Sequence, residues 1–225
     1  MDIQIGDHLL YNNNQLIAVN KPAGIATQPD GSEDKSMQDL VEIYCKHPVQ
    51  IVHRLDRPAS GVLLFAKNKK AVAHLHKQFA AREVKKTYWA VVEHKPSPES
   101  GHLKDDLIFN QKVNKAFASE DDNSKTAELQ YRLLSESDRY FLLEIDLLTG
   151  RQHQIRAQLS AMGCSIKGDV KYGAKRGNKD RSIYLHAKKL IFRHPVNNEE
   201  INIDAPLPTD NLWSFFGESI NQTKQ

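Results

Sequence analysis

The stretch HRLDRPASGVLLFAKN, residues 53–68, sets one carboxylate, Asp56, two positions after Arg54 and just before a Pro-x-x-Gly turn. An apolar run, Val62–Ala66, follows at once. The run is continuous rather than alternating, so it reads as a strand buried on both faces. A charged group fixed on a tight loop against such a strand is costly to desolvate unless it has a partner or a task. Asp56 is therefore a candidate nucleophile or general base. The alternative is an aspartate that only shapes its turn, a common use of the residue.

The flanking segments frame this loop. Gln15–Asn20 is apolar enough for a strand and runs into the turn Lys21-Pro22-Ala23-Gly24. Ser36–Lys46 carries Met37, Leu40, Val41 and Tyr44 at helical spacing. Asn68 is placed to cap a helix reaching about Arg82, with Val72, Leu75 and Phe79 on one face. Lys86–Glu93 reads as a strand, and the polar segment Ser97–Asn123 holds a short one near Leu107–Phe109. Alternation at Ala127, Leu129, Tyr131 and Leu133, and again at Phe141, Leu143, Ile145 and Leu147, marks two half-buried strands. Arg151–Met162 is expected to be helical, with Ile155, Leu159 and Met162 on one face and Gly163 as the stop. Leu185–Phe192 and Ile201–Ile203 read as strands. Consecutive strands joined by short polar turns favour an α+β fold with a largely antiparallel sheet.

The chain has 225 residues, enough for one domain or two small ones; one is the natural reading, taken as 1–220, with 221–225 as a frayed tail. Hydrophobic residues make up 40% and charged residues 26%, an ordinary balance for a chain that buries its own core. No segment has the length and apolarity of a membrane span, and the first residues lack a signal-peptide core. Cys45 and Cys164 stand far apart without Cys-x-x-Cys spacing, so neither a zinc site nor a disulfide is expected, and the cytoplasm is the simplest compartment. The net charge of +3 is unevenly spread: between Arg151 and Arg193 eleven Lys or Arg face two acids, Asp169 and Asp180. A concentrated basic stretch is the electrostatic footprint of a nucleic-acid binder; a solvated lysine-rich loop is the plainer alternative.

HRLDRPASG resembles the His-Arg-Leu-Asp-x-x-Thr-Ser-Gly element of RluA-type pseudouridine synthases, departing from it at Ala59. VNKPAGI (19–25), KKTYWAVV (85–92), TGRQHQIRAQLSAMG (149–163) and LHAKKLIFRHP (185–195) resemble further elements of that family, in the same order. The resemblance covers the chain to about residue 208. It implies the pseudouridine synthase fold, a mixed, largely antiparallel sheet flanked by helices, with the active cleft across its middle. It also implies isomerisation of uridine in structured RNA, transfer or ribosomal. Many members carry an extra N-terminal RNA-binding module; with the first element beginning by about residue 16, none is expected here.

The reaction detaches uracil from ribose at N1 and rejoins it through C5. It involves neither redox nor phosphate transfer, so no metal or organic cofactor is expected. The resemblance casts Asp56 as the essential carboxylate, acting either covalently or through a glycal. It supplies a cation for that carboxylate as Arg156, and a nearby cation favours the charged form. Helical geometry puts Arg156 at the edge of the Ile155/Leu159/Met162 stripe. Tyr88 matches the family's active-site tyrosine, placed to stack on an extruded uracil and to assist loss of the C5 proton. Arg54 corresponds to the arginine that fills the space left by the base. Arg151, expected near a helix N-terminus, is a candidate phosphate contact, and Lys21 a candidate cleft-lining residue. His53 reads as a structural turn residue. A threonine in place of Ala59 would add one neutral hydrogen bond, worth roughly 0.5–1.5 kcal/mol, so its loss is expected to slow the chemistry rather than abolish it.

Two other classes compete. A non-catalytic RNA-binding or ribosome-assembly protein on the same scaffold fits the basic stretch, but an aspartate facing RNA opposes binding. A glycoside hydrolase also attacks an anomeric carbon, but ordinarily needs two carboxylates about 5–10 Å apart, and no matched element holds a second acid beside Asp56. A monomer without an obligatory protein partner is expected.

Overall fold

The computed structural model describes residues 3–223, which form eleven strands and four helices. In chain order these are β1 (Leu9–Asn12), β2 (Leu16–Lys21), α1 (Met37–Cys45), β3 (Gln50–Ile51), β4 (Ser60–Ala66), α2 (Lys69–Ala80) and β5 (Lys85–Val92). There follow β6 (Ser100–Asn110), β7 (Lys115–Ala118), β8 (Lys125–Glu136), β9 (Phe141–Leu147), α3 (Gln154–Ala161), β10 (Leu185–Arg193), β11 (Glu200–Asp204) and α4 (Asn211–Thr223). The chain divides into two compact units. The first runs to Lys86 and takes in Ala187–Pro206; the second comprises Thr87–His186 and the segment from Leu207 onward.

In the first unit the strand order is β1-β2-β4-β10, with β3 also on β4 and β11 also on β10. All seven residues of β4 are buried, as a continuous apolar run requires. Leu16, Val62, Leu64, Leu75 and Phe192 share one core. Ser36 and Asp39 form a capping box on α1, and Asn68 accepts the Ala71 N–H to start α2. The antiparallel register of β2 on β4 runs from Leu16 opposite Ala66 to Lys21 opposite Gly61. That register brings the end of β2 to the mouth of the 53–59 loop.

In the second unit the order is β5-β9-β8-β6-β7. Tyr88 lies opposite Ile145, and Tyr131 opposite the same residue from β8. The segment 97–123, expected to hold one short strand, instead forms an eleven-residue strand and a hairpin, β6 and β7. From Ser100 to Asp106 no residue of β6 is fully buried, so the strand carries little apolar alternation to read. The segment 211–223, read as no element from the sequence, is the helix α4. Trp213, Phe216 and Ile220 pack there with Trp89, Val91 and Leu142. Asn221–Thr223, expected as the start of a tail, belong to that helix, and residues 224–225 lie outside the described residues. The expected helix from Arg151 begins only at Gln154. Among the described residues no helix is long and apolar enough to cross a membrane.

Gly61 joins the loop to the sheet with φ +113, a conformation that disfavours any Cβ. A Cβ there would also overlap the Ala187 backbone, 2.5 Å from its N and 2.7 Å from its carbonyl carbon. Gly61→Ala is expected to destabilise the protein by about 3 kcal/mol from overlap and backbone strain. Thermal unfolding should show a midpoint lower by roughly 6–12 °C.

Candidate active site

The loop before β4 is anchored at every second residue. His53 Nε2 accepts the Leu64 N–H at 3.0 Å, and its ring stacks on Phe79. Leu55 is held twice by Thr27 Oγ1, which accepts the Leu55 N–H at 3.1 Å and donates to its carbonyl at 2.9 Å. The Arg57 carbonyl accepts from the Gly24 N–H at 2.8 Å and from Lys21 Nζ at 3.2 Å. The Arg57 side chain donates to Gly24 O, Asp30 and Asp34. The turn closes with Ala59 N–H on Asp56 O at 3.1 Å, a backbone bond that owes nothing to the side chain at 59. The alternate positions differ: Arg54 is exposed and Asp56 half-buried. Thr27 and Arg57 went unnoticed in the sequence because their partners lie 28 and 33 residues away, beyond any local spacing.

Lys21 is not the cleft-lining contact expected of it. Its side chain is fully buried, and Nζ donates to Pro22 O and Ile25 O, both at 2.9 Å, as well as to Arg57 O. Burial pulls its pKa down to about 7, opposed by the Asp56 carboxylate, which raises it, while Arg57 lowers it further. Lys21 thus lies close enough to Asp56 to feel its charge inside the first unit, with its donors spent on the main chain.

The second unit holds Tyr88, Arg151 and Arg156. Tyr88 is 8% exposed on β5; its neighbour Trp89 sits in the core with α4. Arg151 is exposed and lies before α3 rather than on it, with Nε donating to Thr126 O at 3.0 Å. The helix starts late because the Gln154 side chain ties up the preceding turn. Its Oε1 accepts from Thr149 Oγ1 at 2.7 Å and from the Arg151 N–H at 3.0 Å, and His153 takes φ +54.

Arg156, expected at the edge of an apolar stripe, is only 5% exposed. Its Nε and Nη2 donate to the two carboxylate oxygens of Asp169 at 2.6 and 2.8 Å, and its guanidinium lies 4.8 Å from the centre of the Tyr172 ring. In the sequence Asp169 stands as one of two acids in a basic run and, with Asp146, as a candidate second acid, with no sign of this partner. The pairing spans 13 residues and a turn, which no helical periodicity reveals. Among the described residues no cluster of three or more His, Cys, Asp or Glu is arranged to hold a metal ion.

A family profile described as RNA pseudouridylate synthase matches residues 15–161. The chain is 36% identical over 208 residues to the ribosomal large subunit pseudouridine synthase C of Rickettsia bellii, covering 90% of this chain and 69% of that protein. It is 35% identical over 218 residues to an uncharacterized RNA pseudouridine synthase of Mycoplasma pneumoniae, covering 95% and 70%. Among solved structures, human RNA pseudouridylate synthase domain containing 4 superposes with a TM-score of 0.76 at 26% identity, covering 96% of this chain and 94% of that one. The architecture is the α+β fold of these proteins, a mixed, mostly antiparallel sheet with four helices.

Burial, with Lys86 adding to it, holds the His53 pKa down at about 4, against an ordinary value of 6.5. The unfolded chain therefore takes up this proton near pH 6.5 while the folded protein refuses it until about pH 4. The stability from neutral His53 is complete above 6.5 and drains away as pH falls from 6.5 to 4. Between pH 7.5 and 5.0 the wild type should lose about 2 kcal/mol through this group. Urea unfolding at the two pH values should show that loss, and His53→Gln should flatten it.

Proposed function

The chain belongs to the RNA pseudouridylate synthase family, of RluA type, and is an RNA-modifying isomerase; from that premise we propose that Asp56 is its essential carboxylate, acting on specific uridines of structured RNA. The observation that carries this reading is the alternate anchoring of the 53–59 loop. Residues 53, 55 and 57 are each bonded to neighbouring segments, while Arg54 between them is exposed and Asp56 is half-buried. A carboxylate on a backbone held this firmly loses little entropy on meeting its target, which is how positioning contributes to rate.

The remaining roles follow the family's motifs. Tyr88 stacks on the extruded uracil and takes part in removing the C5 proton. Arg156 serves the reacting carboxylate. Arg54 occupies the space the base leaves, and Arg151, exposed on its loop, contacts phosphate. The two compact units act as one catalytic domain, a reading supported by a family match that runs through both. The chemistry asks for neither redox partner nor phosphate acceptor, so the proposed route uses no cofactor. The protein works as a monomer in the cytoplasm.

Ribosomal RNA is the substrate class to test first, because a relative of 36% identity is named for the large ribosomal subunit; transfer RNA is the second. RNA labelled with tritium at uracil C5, taken from cells lacking this gene, reports turnover by tritium release. Asp56→Asn is expected to lower release by roughly a thousand-fold or more, the scale of losing a nucleophile, while filter binding shows RNA affinity nearly unchanged. Retained turnover in that variant would remove Asp56 from the mechanism.

A further inference from the structure

Between Gly173 and β10 the second unit carries Lys175, Arg176, Lys179 and Arg181 on one short loop, with a single acid, Asp180. All four cations are exposed, and among the described residues none of their side chains donates a hydrogen bond or meets an acid. Asp180 is turned to a local use: its Oδ1 accepts from the Ser182 N–H at 3.1 Å and from Ser182 Oγ at 2.7 Å. It shapes the turn and closes no ion pair with its neighbours. Like charges this close repel one another, which opposes the compact state. A loop kept only for solubility would relieve that repulsion by moving freely.

This loop is held. At one end the Lys175 N–H donates to Glu93 Oε2 at 3.0 Å. At the other the Arg181 N–H donates to the Asn178 carbonyl at 3.0 Å, with Arg181 at φ +60, a left-handed conformation that a Cβ disfavours. The Asn178 side chain is the anchor between them: Nδ2 donates to Ser182 O at 2.8 Å, and Oδ1 accepts from Lys167 Nζ at 2.9 Å. Gly168 lies directly behind, where a Cβ would fall on the Asn178 side chain. Lys167 is itself fixed, 4.3 Å from the centre of the Tyr184 ring. The fold thus keeps four mutually repelling cations on a fixed backbone.

We propose that residues 175–181 form a docking site for the phosphate backbone of the RNA substrate, serving affinity and not the chemical step. The proposal rests on RNA being the substrate and adds where its backbone is held. Three features select that ligand. Four cations against one acid leave a net +3 on the loop, which suits a polyanion better than a lone carboxylate or phosphate. No side chain from 175 to 181 is apolar, so the loop lacks the hydrophobic anchor that a membrane-surface site pairs with its cations. The anchored backbone loses little freedom when a phosphate arrives, so the electrostatic gain goes into affinity.

The test compares Arg176→Gln/Lys179→Gln/Arg181→Gln with a variant that removes the same charge elsewhere, at three exposed lysines of α2, Lys69→Gln/Lys70→Gln/Lys77→Gln. Filter binding to polyuridylate and to ribosomal RNA is read across about 50 to 200 mM salt. The loop variant is expected to bind both RNAs about 10- to 100-fold more weakly at about 100 mM salt, with the slope of log affinity against log salt reduced by about 2. The α2 variant is expected to stay within about threefold of wild type. In the tritium-release assay the loop variant should raise KM by a similar factor while kcat at saturating RNA stays within about twofold. Thermal unfolding checks both folds. Where the triple loop variant does not fold, Arg176→Gln/Lys179→Gln leaves Arg181 in place, and the slope should fall by about 1 to 2. Unchanged affinity and slope in the loop variant would overturn the site. An equal loss in the α2 variant would overturn it too, by showing net charge alone at work. So would a lower kcat at unchanged KM, which would put the loop in the chemistry. Loss of binding to phosphatidylserine vesicles, with RNA affinity unchanged, would give the loop to a membrane. Retained turnover in Asp56→Asn would remove the proposed carboxylate and leave these binding results as they stand.

Discussion

The ammonium of Lys21 sits at the end of β2 with no solvent exposure, and it gathers the carbonyls of Pro22, Ile25 and Arg57 around itself. Those three carbonyls belong to two loops that are far apart in sequence. A buried cation is expensive unless its donors are satisfied, so the two loops cannot drift from one another without exposing that cost. The Gly24 N–H and Thr27 Oγ1 add bonds to Arg57 and Leu55 from the same side. The 53–59 loop thus takes its shape from the 21–27 segment as well as from its own bonds.

Each unit solves the problem of a buried cation differently. The first sets Lys21 Nζ among three neutral carbonyls, where burial lowers its pKa to about 7 against the pull of Asp56. The second sets Arg156 against the carboxylate of Asp169, so little net charge remains. A compact ammonium with rotatable donors suits a cage of carbonyls, and a planar guanidinium suits a two-point carboxylate. Exchanging the two residue types would disorder both arrangements.

The sequence disclosed what is local. The continuous run of β4, the helical spacing of α1, the Asn68 cap and the alternation of β8 and β9 each rest on neighbours within a few residues, and each is found in place. Less could be read where tertiary pairing decides. β6 pairs with β8 over eight positions although its own residues are half polar. The first turn expected of α3 is replaced by the side-chain bonds of Gln154, a glutamine indistinguishable by propensity from any other in a helix. For the candidate site, the resemblance points to Asp56, Tyr88 and Arg156, but not to the residues that bond their surroundings. Thr27 and Asp169 act through partners that only the folded chain brings near.

The basic stretch shows why a count of charges misleads when position is ignored. Of the eleven cations between Arg151 and Arg193, Arg156 is taken up by Asp169, and Lys188 and Lys189 both reach Asp204, at 3.3 and 3.4 Å. Lys167 lies 4.3 Å from the Tyr184 ring centre and donates to Asn178 Oδ1. What remains concentrated and exposed is the 175–181 segment, with Lys175, Arg176, Lys179 and Arg181 against the single acid Asp180. Asn178 moors that segment at its base, its side-chain amide donating to Ser182 O at 2.8 Å while its oxygen accepts from Lys167. A net charge of three on a short moored loop makes a steeper local potential than a net nine spread along the chain, and field at short range is what draws a phosphate backbone in salt. The electrostatic footprint is therefore narrower than the sequence implies and correspondingly better directed.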